Sequence, residues 1–262
     1  MTRRLGERGS IVLRSEDHTY VLSDGTELGP SVSTVAASPW PAFDPVTCAR
    51  RCGPAARLKW TGDRDGSDEA IIAAWASNAE AAANRGTEIH AAIEAMLLSL
   101  NHAHGATPRP TDTPISPGDG PSLCPVVAAW IVDRYPTSDW ELHPELIVYG
   151  SVYDGGPLIP GTIDLAAVRR DTDEVTLVDW KTGSVDDSKG NRDAVFGIKG
   201  TRLAKYSIQL GLYKLILERW YGVSVRALEV VQITPGETPT VYPAKPEMAD
   251  DVCASIAAMF DG

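Results

Sequence analysis

A chain of 262 residues, 43% hydrophobic and 23% charged, has apolar material for a substantial core and the polarity of an ordinary globular protein. No apolar run approaches the ~20 residues of a membrane span, and Met1 to Gly6 lacks the apolar core of an export signal, so a cytoplasmic location is expected. The net charge of −11, taken whole, argues against a nucleic-acid binder, but residues 181–226 carry nine Lys or Arg against four Asp or Glu. The first fourteen residues add four Arg against one Glu. A local basic face on an acidic chain suits polyanion binding and a plain solvated surface equally well.

In chain order, Ile11–Leu13 and Thr19–Leu22 read as short strands, with turn chemistry at Ser23-Asp24-Gly25. Ser31–Val35, after Pro30, reads as a strand or a helix start. Pro39, Pro41 and Pro45 break the chain, and Cys48–Trp60 is expected as one short helix bearing Arg50, Arg51, Arg57 and Lys59. Asp68–Leu100 is Ala-rich and helical, capped by Ser67 or Asp68, with an interruption expected near Asn84-Arg85-Gly86. Ile89, Ile93, Met96, Leu97 and Leu100 form its buried stripe, and His90 and Glu94 lie one turn apart beside it. His90 there is either an ordinary polar helix edge or a functional group. Gly86, one turn earlier, permits close approach of another backbone.

Thr107–Pro125 holds six prolines and reads as a loop or insertion. Val126–Tyr135 is expected as a short helix and Glu141–Tyr149 as a strand, with Glu145 just before its apolar run. Gly183–Lys205 is polar and rich in Gly and Lys, a loop by composition. Leu203–Tyr221 is the second strong helix, carrying Gln209 and Tyr213 as hydrogen-bonding groups one turn apart, which suits a buried helix with polar tips as well as a site. Ala227–Thr234 reads as a strand, Pro235-Gly236 as a turn and Val252–Phe260 as a closing helix. Cys48, Cys52, Cys124 and Cys253 match no common zinc spacing and are expected as free thiols.

The densest signal is the hairpin between Pro160 and Gly183, whose apolar runs Ile163–Val168 and Val175–Trp180 flank Asp171-Thr172-Asp173-Glu174. A turn centred between Thr172 and Asp173 sets Asp164 opposite Lys181 and Ala166 opposite Asp179. Strand alternation then brings Asp164, Asp179 and Lys181 onto one face, above a floor of Val168, Val175 and Leu177. Two carboxylates and an ammonium are costly to bury without a purpose. Such a set suits phosphodiester hydrolysis with a divalent ion, because Mg²⁺ takes oxygen ligands and keeps several waters. Lys181 would orient or deprotonate the water, or neutralise developing charge. The tripeptide alone is unspecific, since [D/E]-x-K occurs at Asp179-Trp180-Lys181 and again at Asp187-Ser188-Lys189. Only the first ends an apolar strand and pairs with an upstream acid.

The order Gly86-Thr87-Glu88-Ile89-His90, Gly161-Thr162-Ile163-Asp164, Asp179-Trp180-Lys181-Thr182-Gly183 and Gln209 with Tyr213 resembles the PD-(D/E)XK nucleases. Within them it is most similar to the RecB-type branch with its phage and CRISPR-associated exonucleases. Pro30–Val35 more weakly resembles the N-terminal segment of phage members. The resemblance implies that His90, Asp164 and Asp179 coordinate Mg²⁺, or Mn²⁺ in its place, with the carbonyl of Trp180, and that Lys181 is the catalytic lysine. It also implies that Gln209 and Tyr213 position the DNA backbone or a site loop, and that Glu145, with Glu94 beside His90, is a candidate supporting acid. Some relatives hold an iron–sulfur cluster on clustered C-terminal cysteines; this chain has Cys253 alone there, so no cluster is expected.

The expectation is one α/β domain with a central mixed β-sheet flanked by helices, a restriction-endonuclease-like core. Its parts would be an N-terminal segment 1–66, a catalytic core 67–234 with an insertion near 105–125, and a C-terminal extension 235–262. The expected function is a Mg²⁺-dependent DNA nuclease, with exonuclease favoured over endonuclease by the resemblance alone. DNA is the expected partner, together with a recombination or single-strand annealing protein in phage-type DNA processing. The competing reading is an inactive nucleic-acid-binding or assembly protein with the same fold. A metal hydrolase acting on another substrate fits the acids but leaves the basic 181–226 segment unexplained.

Overall fold

The computed structural model describes residues 11–14, 19–103, 124–185, 190–195, 198–245 and 248–249. The expected insertion over 107–123, the second D-x-K at 187–189, Cys253 and the closing helix over 252–260 lie outside the described residues.

At the N-terminal end, β1 (Ile11–Arg14) and β2 (Thr19–Leu22) pair antiparallel, and the chain then forms α1 (Val32–Ala37), capped by Ser31. Cys48–Trp60 is two helices rather than one, α2 (Pro45–Arg50) and α3 (Pro54–Thr61). Gly53-Pro54 divides them, since Pro54 has no N–H to continue α2 but suits a first helical position. Gly62, at φ 76, ends α3 with its N–H on the Leu58 carbonyl.

The Ala-rich segment is one helix, α4 (Asp68–Ala103), with no interruption at Asn84–Gly86. A single Gly costs a helix only about 1 kcal/mol against Ala, and the run of alanines outweighs it. α5 (Pro125–Arg134) follows as expected.

The central sheet has the order β3-β4-β5-β8-β9. Its strands are β3 (Trp140–Gly150), β4 (Ile159–Arg169), β5 (Glu174–Lys181), β8 (Ser224–Gln232) and β9 (Thr240–Pro243), the last not foreseen from sequence. β5 and β8 run parallel and the other pairs antiparallel, so the sheet is mixed. The parallel pair requires a crossover. It is made by a small ribbon, β6 (Gly190–Val195) with β7 (Ile198–Thr201), and by α6 (Arg202–Ile216), which continues as a π-helical turn, Leu217–Tyr221. The segment read as a loop, Gly183–Lys205, therefore holds two strands and the start of α6. Thr201 starts that helix by accepting the Ala204 N–H on its hydroxyl.

Helices cover both faces of the sheet. Val32 and Val35 of α1 and Ile208, Leu212 and Ile216 of α6 pack on one face with Val175, Leu177 and Val230. Ile93 and Leu97 of α4 and Val127 and Ile131 of α5 pack on the other with Val178, Trp180 and Val231. Burial on both faces explains why β5 reads as an almost continuous apolar run. No described helix is long and apolar enough to cross a membrane.

The β4–β5 register is two residues away from the sequence expectation. Pairs run from Val168↔Val175 to Leu165↔Val178, so the four-residue loop is 170–173 and, continuing the ladder, Asp164 is level with Asp179 rather than Lys181. Asp173, at φ 57 with its N–H on the Arg169 carbonyl, makes the turn one residue earlier than an even split of the polar run would. An even shift preserves the faces, so Asp164, Asp179 and Lys181 still converge.

Candidate metal centre

β3 is an edge strand, where Pro144 can sit without losing a ladder bond. Directly after it Glu145 adopts φ 44, in the left-handed region that an unbranched L-residue enters only at a cost of order 1 kcal/mol. The β3–β4 pairs run from Trp140↔Arg169 to Pro144↔Leu165 and resume at Leu146↔Ile163, stepping over Glu145 and Asp164. The packing changes hands at the same place: Ile163 joins the α6-side cluster, and Leu165 the α4-side cluster. The sheet thus turns two acids out of its regular pattern at one point.

α4 brings His90 to that point. His90 Nδ1 lies 3.7 Å from Asp164 Oδ2 and 3.9 Å from Glu145 Oε1. One ligand atom from each of the three residues lies within 4.8 Å of the others. The other ring nitrogen, Nε2, is 3.0 Å from the Trp180 carbonyl. A carbonyl can only accept, so the proton of a neutral imidazole belongs on Nε2 and the Nδ1 lone pair faces the two carboxylates. Asp164 Oδ2 in turn accepts the Trp180 N–H at 2.7 Å. One peptide unit on either side of Trp180 therefore orients both His90 and Asp164.

Asp179 has other company. Its side chain is 3% exposed, Oδ2 lies 2.7 Å from Lys181 Nζ, and Oδ1 accepts the Gln209 amide at 2.9 Å. The Lys181 contact is an ion pair that is not aligned as a hydrogen bond, so Oδ2 keeps no aligned donor in a buried setting. Lys181 Nζ also sits 4.8 Å above the Tyr206 ring.

Burial pushes the Asp179 carboxyl up to about 6, against the pull of Lys181, with nearby Asp164 adding to the rise. Burial also raises Asp164, more than Lys181 and His90 lower it. Burial works against charge on Lys181, but Asp179 and Asp164 outweigh it and hold the ammonium above its ordinary value. His90 follows the same pattern, with burial opposed and overcome by Glu145 and Asp164. The group is an acid-rich pocket that favours protons while no cation fills it.

Gln209 and Tyr213, expected to contact DNA or a loop, hold the acids from behind. Gln209 bonds Asp179, and Tyr213, 3% exposed, donates to the Thr162 carbonyl at 2.8 Å. Gly161 makes this possible, because a Cβ there would lie 2.5 Å from the Tyr213 hydroxyl. Gly86 is less demanding: a Cβ there meets only the Thr182 hydroxyl, at 3.7 Å. Glu94 lies outside the three-residue cluster. Sequence reasoning missed two supporting tyrosines, Tyr206 on Lys181 and Tyr20, whose hydroxyl lies 3.0 Å from Thr162 Oγ1. Tyr206 shares the α6 face of Gln209 and Tyr213, which was a usable signal; Tyr20, in β2, offered none.

The donor set fits a hard divalent cation. Two carboxylates and an imidazole lone pair converge on one half-buried space, and a buried Asp179 oxygen without an aligned donor stands beside it. His90, Glu145 and Asp164 could hold a metal ion directly.

No protein-family model and no curated protein matches the chain. Among solved structures, the protein SSO0001 is similar over 51% of this chain and 55% of its own length, at 15% identity and TM-score 0.32. A Eubacterium rectale protein named as a candidate exonuclease is similar over 50% of this chain and 49% of its own, at 17% identity and TM-score 0.34. The chain thus spans 55% and 49% of the lengths of these two proteins. Likeness at this level leaves the reading of the site to its own geometry.

Proposed function

We propose that the chain is a Mg²⁺-dependent deoxyribonuclease of the PD-(D/E)XK type, RecB-like, acting as an exonuclease on DNA ends. The observation that carries this reading is the convergence of His90, Glu145 and Asp164 within 4.8 Å beside the Asp179–Lys181 pair. A divalent ion there supplies charge neutralisation at a phosphate and a water of lowered pKa. The protein's own residues divide the remaining work. Glu145, Asp164 and the Nδ1 lone pair of His90 would bind the ion, and the Trp180 peptide units fix the directions of two of them.

Lys181 is kept protonated by its two carboxylate neighbours, which suits it to orienting a water or neutralising charge on the phosphate, and not to accepting a proton. Gln209 and Tyr206 hold the Asp179–Lys181 pair in place. Exonuclease action, the phage-type setting and a recombination or annealing partner are proposed on the sequence resemblance.

The test uses linear and circular DNA, single and double stranded, with Mg²⁺ or Mn²⁺, on wild type and Lys181→Ala. Metal-dependent loss of linear DNA only, abolished in the variant, is the expected result. Nicking of circles as fast as linear DNA would reassign the chain as an endonuclease. DNA binding with no cleavage of any substrate would leave the inactive binding protein standing in its place.

A further inference from the structure

Far from the carboxylates, α2, α3 and the start of α4 meet in a corner that the catalytic reading does not use. Trp75 of α4 contacts Phe43 edge to face at 5.5 Å between centroids, and Trp60 of α3 at 6.2 Å. The trio has no ring-on-ring stack, and Phe43 is 66% exposed. Val46 and Leu58, on α2 and α3, are also among the few large apolar side chains left in water. Single exposed apolar residues are ordinary, but a cluster marks a surface that something covers.

The charge around it points to the occupant. Residues 45–61 carry Arg50, Arg51, Arg57 and Lys59 and no Asp or Glu, in a chain of net charge −11. Arg57 is spent on Asp68 and on backbone carbonyls, whereas Arg50 and Arg51 are exposed and make no ion pair among the described residues. Lys59 Nζ lies 5.2 Å from the Trp60 ring. Aromatic faces interleaved with unpaired cations are the means by which proteins hold unpaired bases and their phosphates.

α4 joins this corner to the metal centre as one helix. Trp75 and His90 are fifteen residues apart on it, about 22 Å of rise, or roughly six steps of a stacked strand at 3.4 Å each. Between them residues 76–85 and 87–88 are exposed, so nothing in the described structure blocks the way.

We propose that this corner is a base-stacking platform for single-stranded DNA, placed to hold a strand about six nucleotides from the bond being cut. It rests on the nucleic-acid reading of the site but is tested without cleavage. In EDTA, the full chain is titrated with a fluorescein-labelled twelve-nucleotide oligothymidylate, with the same oligomer lacking its bases, and with duplex DNA. Phe43→Ala, at an exposed position, and Lys59→Ala are compared with wild type, with thermal midpoint and sedimentation recorded for each.

Phe43→Ala should weaken oligothymidylate binding about tenfold, within the range measured for loss of one stacked base. It should change binding of the abasic oligomer little, while Lys59→Ala weakens both. An equal effect of Phe43→Ala on both oligomers, or none on either, overturns the proposal. So does a change in sedimentation with unchanged affinity, which would make the corner a contact between copies of the chain. Absence of oligothymidylate binding by wild type in EDTA, with metal-dependent cleavage intact, would remove the platform and leave the nuclease reading standing. Stacking without cleavage would do the reverse.

Discussion

Asp164 and Asp179 stand level on adjacent strands, yet their surroundings differ in kind. Asp164 shares its space with Glu145 and the lone pair of His90, three acceptors with no side-chain donor between them. Asp179 is filled, with Lys181 on one oxygen and Gln209 on the other. One half of the site is organised to receive a positive charge from outside and the other already contains one. The difference separates ion binding from charge placement at the phosphate, although both halves hang on the same two strands.

The strongest way to break this contrast is Asp164→Asn. Activity should fall at least a hundredfold. Mn²⁺ binding measured by calorimetry should be lost with it, whereas Lys181→Ala should remove comparable activity and leave ion binding nearly intact. Equal loss of ion binding in both variants would erase the division.

A second test is the stability of the ion-free chain against pH. A carboxyl whose folded pKa is raised binds more protons in the folded state between its two pKa values. Its contribution is therefore complete below the unfolded value and is lost as pH rises through the folded one. For Asp179 that window runs from about 4 to about 6, and Asp164 acts in the same direction. His90, also raised, continues the loss above its ordinary value near 6.5. In EDTA the thermal midpoint should fall by several degrees from these groups between pH 4 and 7.5, and Asp164→Asn should reduce the fall. With Mg²⁺ present the decline should shrink or reverse, because the ion competes with those protons.

Gly161→Ala comes next in size. Its Cβ would press on the Tyr213 hydroxyl, so a destabilisation of about 1–3 kcal/mol is expected by denaturant titration. Gln209→Leu should cost activity roughly tenfold while sparing Mn²⁺ affinity, since it loosens only the filled half. Smallest is Tyr213→Phe, which loses one hydrogen bond to the Thr162 carbonyl and about 1 kcal/mol of stability.

The faces of the hairpin were legible because alternation of Val168, Val175 and Leu177 with the charged residues survives any even slip. The register was not, because it depends on Asp173 taking a left-handed conformation, which many polar residues in that run could have done. β6 and β7 were hidden by Gly, Asn, Lys and Asp, residues with little strand preference, and their pairing comes from the crossover and not from local sequence. His90 was visible by its place beside an apolar stripe. Its orientation by the Trp180 carbonyl was not, because that contact spans ninety residues. Glu145 was legible as an acid before a strand, whereas its positive φ follows from tertiary packing that no neighbouring residue announces.

The bare middle of α4 has a thermodynamic consequence. Over residues 76–88 almost no side chain is buried, so these turns depend on helix–coil propensity between two packed ends. Melting them would create two new helix ends rather than fray an existing one, which makes the span cooperative although locally weak. Amide exchange should be faster there than in α6, and Gly86 is the weakest link. Gly86→Ala, with open contact to Thr182 at 3.7 Å, should slow exchange across the whole span by about fivefold, the equivalent of about 1 kcal/mol. The helix then acts as an elastic beam whose stiffness is set by alanine content, and its softness determines how far the aromatic corner can swing relative to the carboxylates.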